Sequence, residues 1–235
     1  MAAQAKRARK TTRAKKRVRS YIILGVVALG VVAIVISFAA LARGTAGTGA
    51  PSTIIVPAPR PSAVVQSGHT YGDPNAPVTI DEYIDFQCPF CKTAALSVMP
   101  VIEQEYVESG VAKVVVHPIA ILGDESVQAA VAAEAANQQG QFFAYYDALY
   151  SNQGYENRGA FSDDRLKAVA EVLGLDMAEF NASFDSGTYA QQVTQDTLDA
   201  AASGVRSTPT ILVNGTRVSA TVDSIAAAIQ SANGS

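Results

Sequence analysis

Hydrophobic positions along this chain change period several times, and each change marks a different kind of element. Tyr21 to Ala42 is twenty-two residues without a charge, rich in Val, Ile, Leu and Ala. That is long enough to cross a bilayer at ~20 residues, and it predicts a transmembrane helix. Gly44 to Gly68 is full of Gly, Ala, Pro, Ser and Thr, with a short apolar patch at Ile54-Ile55-Val56. Such composition builds no core and predicts a flexible linker over 43–70. From Val78 the period becomes two, with Val78, Ile80, Ile84 and Phe86 on one face of a strand. Lys92 to Met99 suits a helix as far as Pro100, and the β-rich run Ala112 to Ile121 completes a β-α-β unit.

Asp124 to Tyr189 then reads as helices, at Val127–Gln138, Phe142–Tyr150, Asp163–Leu173 and Met177–Phe184, each bounded by Gly or polar caps. Phe142, Phe143, Tyr145 and Tyr146 are read as helix–helix packing. A further helix covers Tyr189 to Ser203. Thr210 to Val213, Asn214-Gly215 and Thr216 to Ala220 carry a hairpin signal, and Ser224 to Ala232 closes the chain as a helix. No internal repeat is present.

Charge changes the picture at the N-terminus. The first twenty residues hold nine Lys or Arg and no acid, whereas everything from Arg43 onward holds nine basic and twenty-one acidic residues. The formal net charge of −3 therefore hides a basic inside and an acidic outside. A basic flank places the N-terminus of the span in the cytoplasm, and the cluster is read as topogenic and lipid-facing rather than nucleic-acid-binding. Ala40-Leu41-Ala42 offers a signal-type cleavage pattern, but signal cores run about 7–15 residues. An uncleaved anchor is the favoured expectation, with residues 71–235 as one domain outside.

The chemistry lies where strand meets helix. The two cysteines of the chain, Cys88 and Cys91, stand at C-x-x-C spacing. Pro89 fits the first helical position, where its missing N–H costs nothing. Cys88 then becomes the N-cap, its sulfur facing the N–H groups of Phe90 or Cys91 and the positive end of the helix dipole. Both effects favour the thiolate, the reactive species in disulfide exchange. Cys91, one turn inward, is expected to be the less exposed partner. A zinc site needs four ligands, and His69 (in the linker) and His117 are not at ligand spacing. An inert local disulfide is the bland alternative. With no other cysteine there is no disulfide framework, so the domain must stand on its core.

The same strand alternation puts Glu82 among the apolar residues, where burial raises a carboxyl pKa and equips it to exchange a proton with a thiol. The alternative is a twisted or edge strand from which Glu82 reaches water. Asp81, Tyr83 and Asp85 are read as polar surface, and His117 has no evident role.

Cys88-Pro89-Phe90-Cys91 after a strand, a helical stretch, and then Gly204-Val205-Arg206-Ser207-Thr208-Pro209-Thr210 before a hairpin resembles the DsbA-like thiol–disulfide oxidoreductases. Tyr71 to Val78 is similar to that family's entry into its first core strand. The resemblance implies an α/β, thioredoxin-like sheet with a helical insertion at about 124–203. It implies a cis-proline loop at Thr208-Pro209 and a buried acid at Glu82. It also implies substrate contacts at Pro89, Phe90, Thr208 and Pro209, and no cofactor or metal. The expected partners are exported polypeptides bearing thiols, a membrane quinone-linked thiol oxidase, and lipid around 21–42. The chain departs from the most oxidising members in having Phe90 where they carry His. Disulfide introduction is the expected activity. The alternatives are a reductase or isomerase of the same fold, and a chaperone-like binding module.

Overall fold

The computed structural model describes residues 53–234. The basic segment 1–20, the expected span 21–42 and the Ala40-Leu41-Ala42 pattern lie outside the described residues. Among the described residues no helix is long and apolar enough to cross a membrane.

A six-stranded sheet runs in the order β1-β2-β4-β3-β5-β6. The strands are β1 (Gln66–Ser67), β2 (Thr70–Tyr71), β3 (Val78–Ile84), β4 (Ala112–Pro118), β5 (Thr210–Val213) and β6 (Thr216–Val218). At the centre β3 and β4 pair in parallel, Ile80 opposite Val114 and Glu82 opposite Val116. Both alternate strictly between buried and half-buried residues, as period-two sequences must when one face meets a core. β5 runs antiparallel to β3. Its turn into β6 puts Asn214 and Gly215 at φ 45° and 79°, the positive-φ pair that a two-residue hairpin requires. This is the expected thioredoxin-like sheet.

The active-site segment is helical from Pro89 through Val107, in four pieces: α1 (Pro89–Thr93), a π turn (Ala94–Val98), α2 (Met99–Ile102) and a second π turn (Glu103–Val107). The helix does not stop at Pro100. The widened turn before it, where the Met99 N–H reaches back to the Ala94 carbonyl, relieves the clash that a proline ring makes in a regular helix. Between β4 and β5 lies the helical insertion: α3 (Asp124–Asn137), α4 (Phe142–Ser151), α5 (Asp163–Val172), α6 (Met177–Asp185) and α7 (Ala190–Ala202). The last helix, α8 (Val222–Asn233), packs against β3, β5, β6 and α2. Its N-cap Thr221 accepts from the Ser224 N–H.

The described part of the expected linker is not loose chain. β1 and β2 extend the sheet, Ile54 and Val64 pack on the core, and the Ile55 N–H and carbonyl both bond the Asn152 side chain. Arg60 drives inward to Glu103 and Asp147, all three bonds within 2.9 Å. Its guanidinium lies 4.9, 4.8 and 5.6 Å from the ring centres of Tyr71, Phe143 and Tyr146. Composition predicts no core here; one arginine with two carboxylates and three rings supplies the anchor.

Candidate active site

The site is a turn at the carboxyl end of β3. Ile84 through Cys88 are all buried, because the turn is sandwiched between the sheet and the insertion. Asp85 lies at its centre, fully enclosed. Its carboxylate accepts from the Gln87 N–H at 2.8 Å, the Ser126 hydroxyl at 2.7 Å, and the Ile121 and Leu122 N–H groups at 2.8 and 3.1 Å. Its carbonyl accepts from the Cys88 N–H at 2.9 Å and the Tyr150 hydroxyl at 3.2 Å. The Gln87 amide reaches the Ser126 hydroxyl and the Asn157 side chain. A buried polar group costs little when its partners are in place, and here four of the six donors to Asp85 come from the insertion or the loop leading to it.

Cys88 sits at the N-cap with extended backbone, and Pro89 begins α1. Both cysteines are free thiols; Cys91 is wholly buried and Cys88 is 4 % exposed. The Cys88 thiol is lowered to about 6, first by a hydrogen bond from the Cys91 thiol. Desolvation opposes this, while the Thr208 side chain and the Cys91 and Phe90 N–H groups add to it. The N–H groups act as nearby dipoles, since no side-chain capping bond of full geometry is formed. When protonated, Cys88 Sγ donates to the Thr208 carbonyl at 3.3 Å, a bond lost on ionisation. Burial pushes the Cys91 thiol far upward, and its bond to Cys88 adds to the effect. One sulfur is therefore a thiolate at neutral pH and the other holds its proton.

The Thr208–Pro209 peptide is cis, as the resemblance implied, and the Thr208 carbonyl lays this loop against Cys88 Sγ. Phe90 is 74 % exposed, so a charge at that position would be largely solvated.

Glu82 is 1 % exposed, which removes the water-reaching alternative. One oxygen accepts from the Tyr146 hydroxyl at 3.1 Å; the other has no partner among the described residues. Its carboxyl is raised to about 7, chiefly by burial and then by the Glu103 charge, against the Tyr146 bond and the Arg60 charge. Tyr146 and Tyr150 meet edge to face at 4.9 Å, and charge on either Cys91 or Glu82 raises the Tyr150 phenol, whose main perturbation is burial. Of the insertion's aromatics, Tyr145 packs between helices as expected, against Phe180, whereas Phe143 and Tyr146 turn to Tyr71 and Phe86 on the sheet side. Beyond that, three of their hydroxyls bond Glu82, the Asp85 carbonyl and the Leu166 carbonyl.

Asp85 corrects the surface reading. Alternation stops deciding exposure once the strand ends at Ile84, and the following residues are buried on every side. Asp81 is part-exposed and pairs with His117 at 2.9 Å, while Tyr83 stacks on that imidazole. His117 thus ties β4 to β3.

A family model described as thioredoxin matches residues 65–231. The "Probable disulfide bond formation protein D" of Bacillus anthracis is 30 % identical over 67 % of this chain and 75 % of its own length. The chain belongs to the DsbA-like thioredoxin family. The fold of this DsbA-like protein is similar to the crystal structure of oxidised BdbD from Bacillus subtilis. That match has a TM-score of 0.67 at 23 % identity, covering 73 % of this chain and 99 % of that one. A 36 % match to "Na(+)/H(+) antiporter NhaA 1" of Salinispora arenicola covers 70 % of this chain but 24 % of that protein, so nothing about antiport transfers. The DsbA-like chain is a thiol–disulfide oxidoreductase.

Proposed function

We propose that this oxidoreductase introduces disulfides into exported polypeptides outside the cytoplasm, with its N-terminal segment as the anchor. The supporting observation is the split between the two thiols, one lowered to about 6 and one pushed far up by burial. A substrate thiolate attacks Cys88 Sγ of the oxidised pair; the Cys88–Cys91 bond breaks and Cys91 leaves, taking up a proton. A second substrate thiolate attacks the substrate sulfur of the mixed disulfide and expels Cys88 as its stabilised thiolate. The substrate dithiol ends oxidised and the enzyme dithiol reduced.

Pro89, exposed Phe90 and the Thr208–Pro209 loop flank the attacked sulfur and make the substrate contacts. Glu82, raised to about 7, serves the proton that Cys91 gains and later loses. The uncharged run 21–42 after nine basic residues supports a membrane anchor with a cytoplasmic N-terminus. A membrane quinone-linked thiol oxidase regenerates the disulfide. The midpoint potential of the Cys88–Cys91 pair tests the direction. A value nearer about −120 mV than about −270 mV fits an oxidant, whereas one at the thioredoxin end of that range assigns a reductase.

A further inference from the structure

Gln153 lies just beyond α4, far in sequence from the cysteines. Its side-chain amide donates to two carbonyls of the active-site turn, Phe86 at 2.6 Å and Cys88 at 3.0 Å. Its own carbonyl accepts from Lys92 Nζ at 3.2 Å. Four residues on, the Asn157 N–H donates to Gln87 Oε1 at 2.6 Å. The loop between these anchors is thus fastened to the residues preceding Cys88, to Cys88 itself and to the first turn of α1.

We infer that Gln153 is a positioning residue for disulfide exchange, setting the orientation of the Cys88 peptide and hence of its sulfur. The inference rests on the reading of Cys88 as the reacting thiol. The Cys88 carbonyl also accepts from the Lys92 N–H at 3.1 Å, so it is the first link in the hydrogen-bond ladder of α1. Holding that carbonyl from the side fixes rotation about the bond between the Cys88 α-carbon and its carbonyl. That rotation swings Cys88 Sγ relative to the Cys91 thiol and the Thr208 side chain, which lower its pKa. The amide hydrogens of Gln153 also bring partial positive charge to the turn, which favours a thiolate. Both effects have the same sign. Without Gln153 the Phe86 carbonyl loses this donor, and the turn gains freedom where in-line attack through three sulfurs demands order.

The test is the thiolate titration and midpoint potential of Gln153→Met, which keeps the volume and removes both donors. Tyr155→Ala, in the same loop with the anchors intact, is the control. The Cys88 midpoint is expected to rise by about half a unit or more, the equivalent of one net hydrogen bond. The potential is expected to fall, since a less stabilised thiolate makes the disulfide less oxidising. Tyr155→Ala is expected to leave both readings in place. A folded Gln153→Met protein with wild-type midpoint and potential overturns the inference. Should Gln153→Met fail to fold, Gln153→Asn, one methylene too short to span both carbonyls, takes its place: a raised midpoint supports the inference and wild-type values overturn it. In the parent protein, loss of the low titration in Cys88→Ser checks the underlying assignment separately.

Discussion

Two carboxylates stand three residues apart around the end of β3, both buried, and their surroundings are opposite. Asp85 is saturated, with four donors on its two oxygens. Among the described residues Glu82 has one donor and an oxygen with none, and the Glu103 charge works against its ionisation. Burial is common to both, so burial alone does not assign a role. A carboxylate whose lone pairs are all engaged holds backbone in place. One left under-supplied is poised between protonated and ionised forms near neutral pH. In this site Asp85 builds the turn, and Glu82 is the carboxyl left short of donors, as the proton-transfer role proposed for it requires.

Removing each acid should therefore move stability in opposite directions. Asp85→Ala deprives two backbone N–H groups in the β4–α3 connection, the Gln87 N–H and the Ser126 hydroxyl of their acceptor. With buried donors costing ~1–3 kcal/mol each when orphaned, and partial relaxation, the reduced protein should lose about 4 kcal/mol in denaturant unfolding. A loss below about 1 kcal/mol would mean that water or a shifted side chain replaces the carboxylate, and the contrast between the two acids would collapse.

Glu82→Gln is expected to do the reverse, by less. A folded carboxyl at about 7 against an unfolded value near 4.3 means that the native state binds the extra proton between those values. Stability from this group then falls as pH rises through that window and stays low above it. Glutamine removes the term, so the variant should gain about 3–4 kcal/mol at pH 8 and show a flatter stability profile between about pH 4 and 7. An unchanged slope would show that Glu82 titrates like an ordinary carboxylate.

The parts of the fold legible in the sequence were those governed by local rules. Alternation at Val78, Ile80 and Ile84, the Asn214-Gly215 pair and the helical runs of the insertion each obey a short-range geometry, and the elements lie within a few residues of their expected bounds. The Cys88-Pro89-Phe90-Cys91 junction was readable for the same reason, as was Glu82. Contacts that close over long sequence separation were not readable. Arg60 sits in a stretch whose composition says linker, yet its partners are 43 and 87 residues away. Asp85 meets Ile121 and Ser126 across 36 and 41 residues, and Gln153 meets the Cys88 carbonyl across 65. Nothing local distinguishes a glutamine that faces water from one that holds two carbonyls. Pro100 misled in the opposite sense, because the π turn before it lets the helix continue.

Beneath both acids lies one asymmetry, a thiolate at Cys88 beside a protonated Cys91, and the ultraviolet thiolate absorbance of the reduced protein against pH measures it directly. Because the folded pKa is depressed, the reduced form gains stability above about pH 6 and loses it as pH falls through that value. A single ionisation with midpoint near 6, worth one thiol and absent in Cys88→Ser, is the predicted result. A midpoint at the free-cysteine value of about 8.5, or two thiols ionising together, would contradict it.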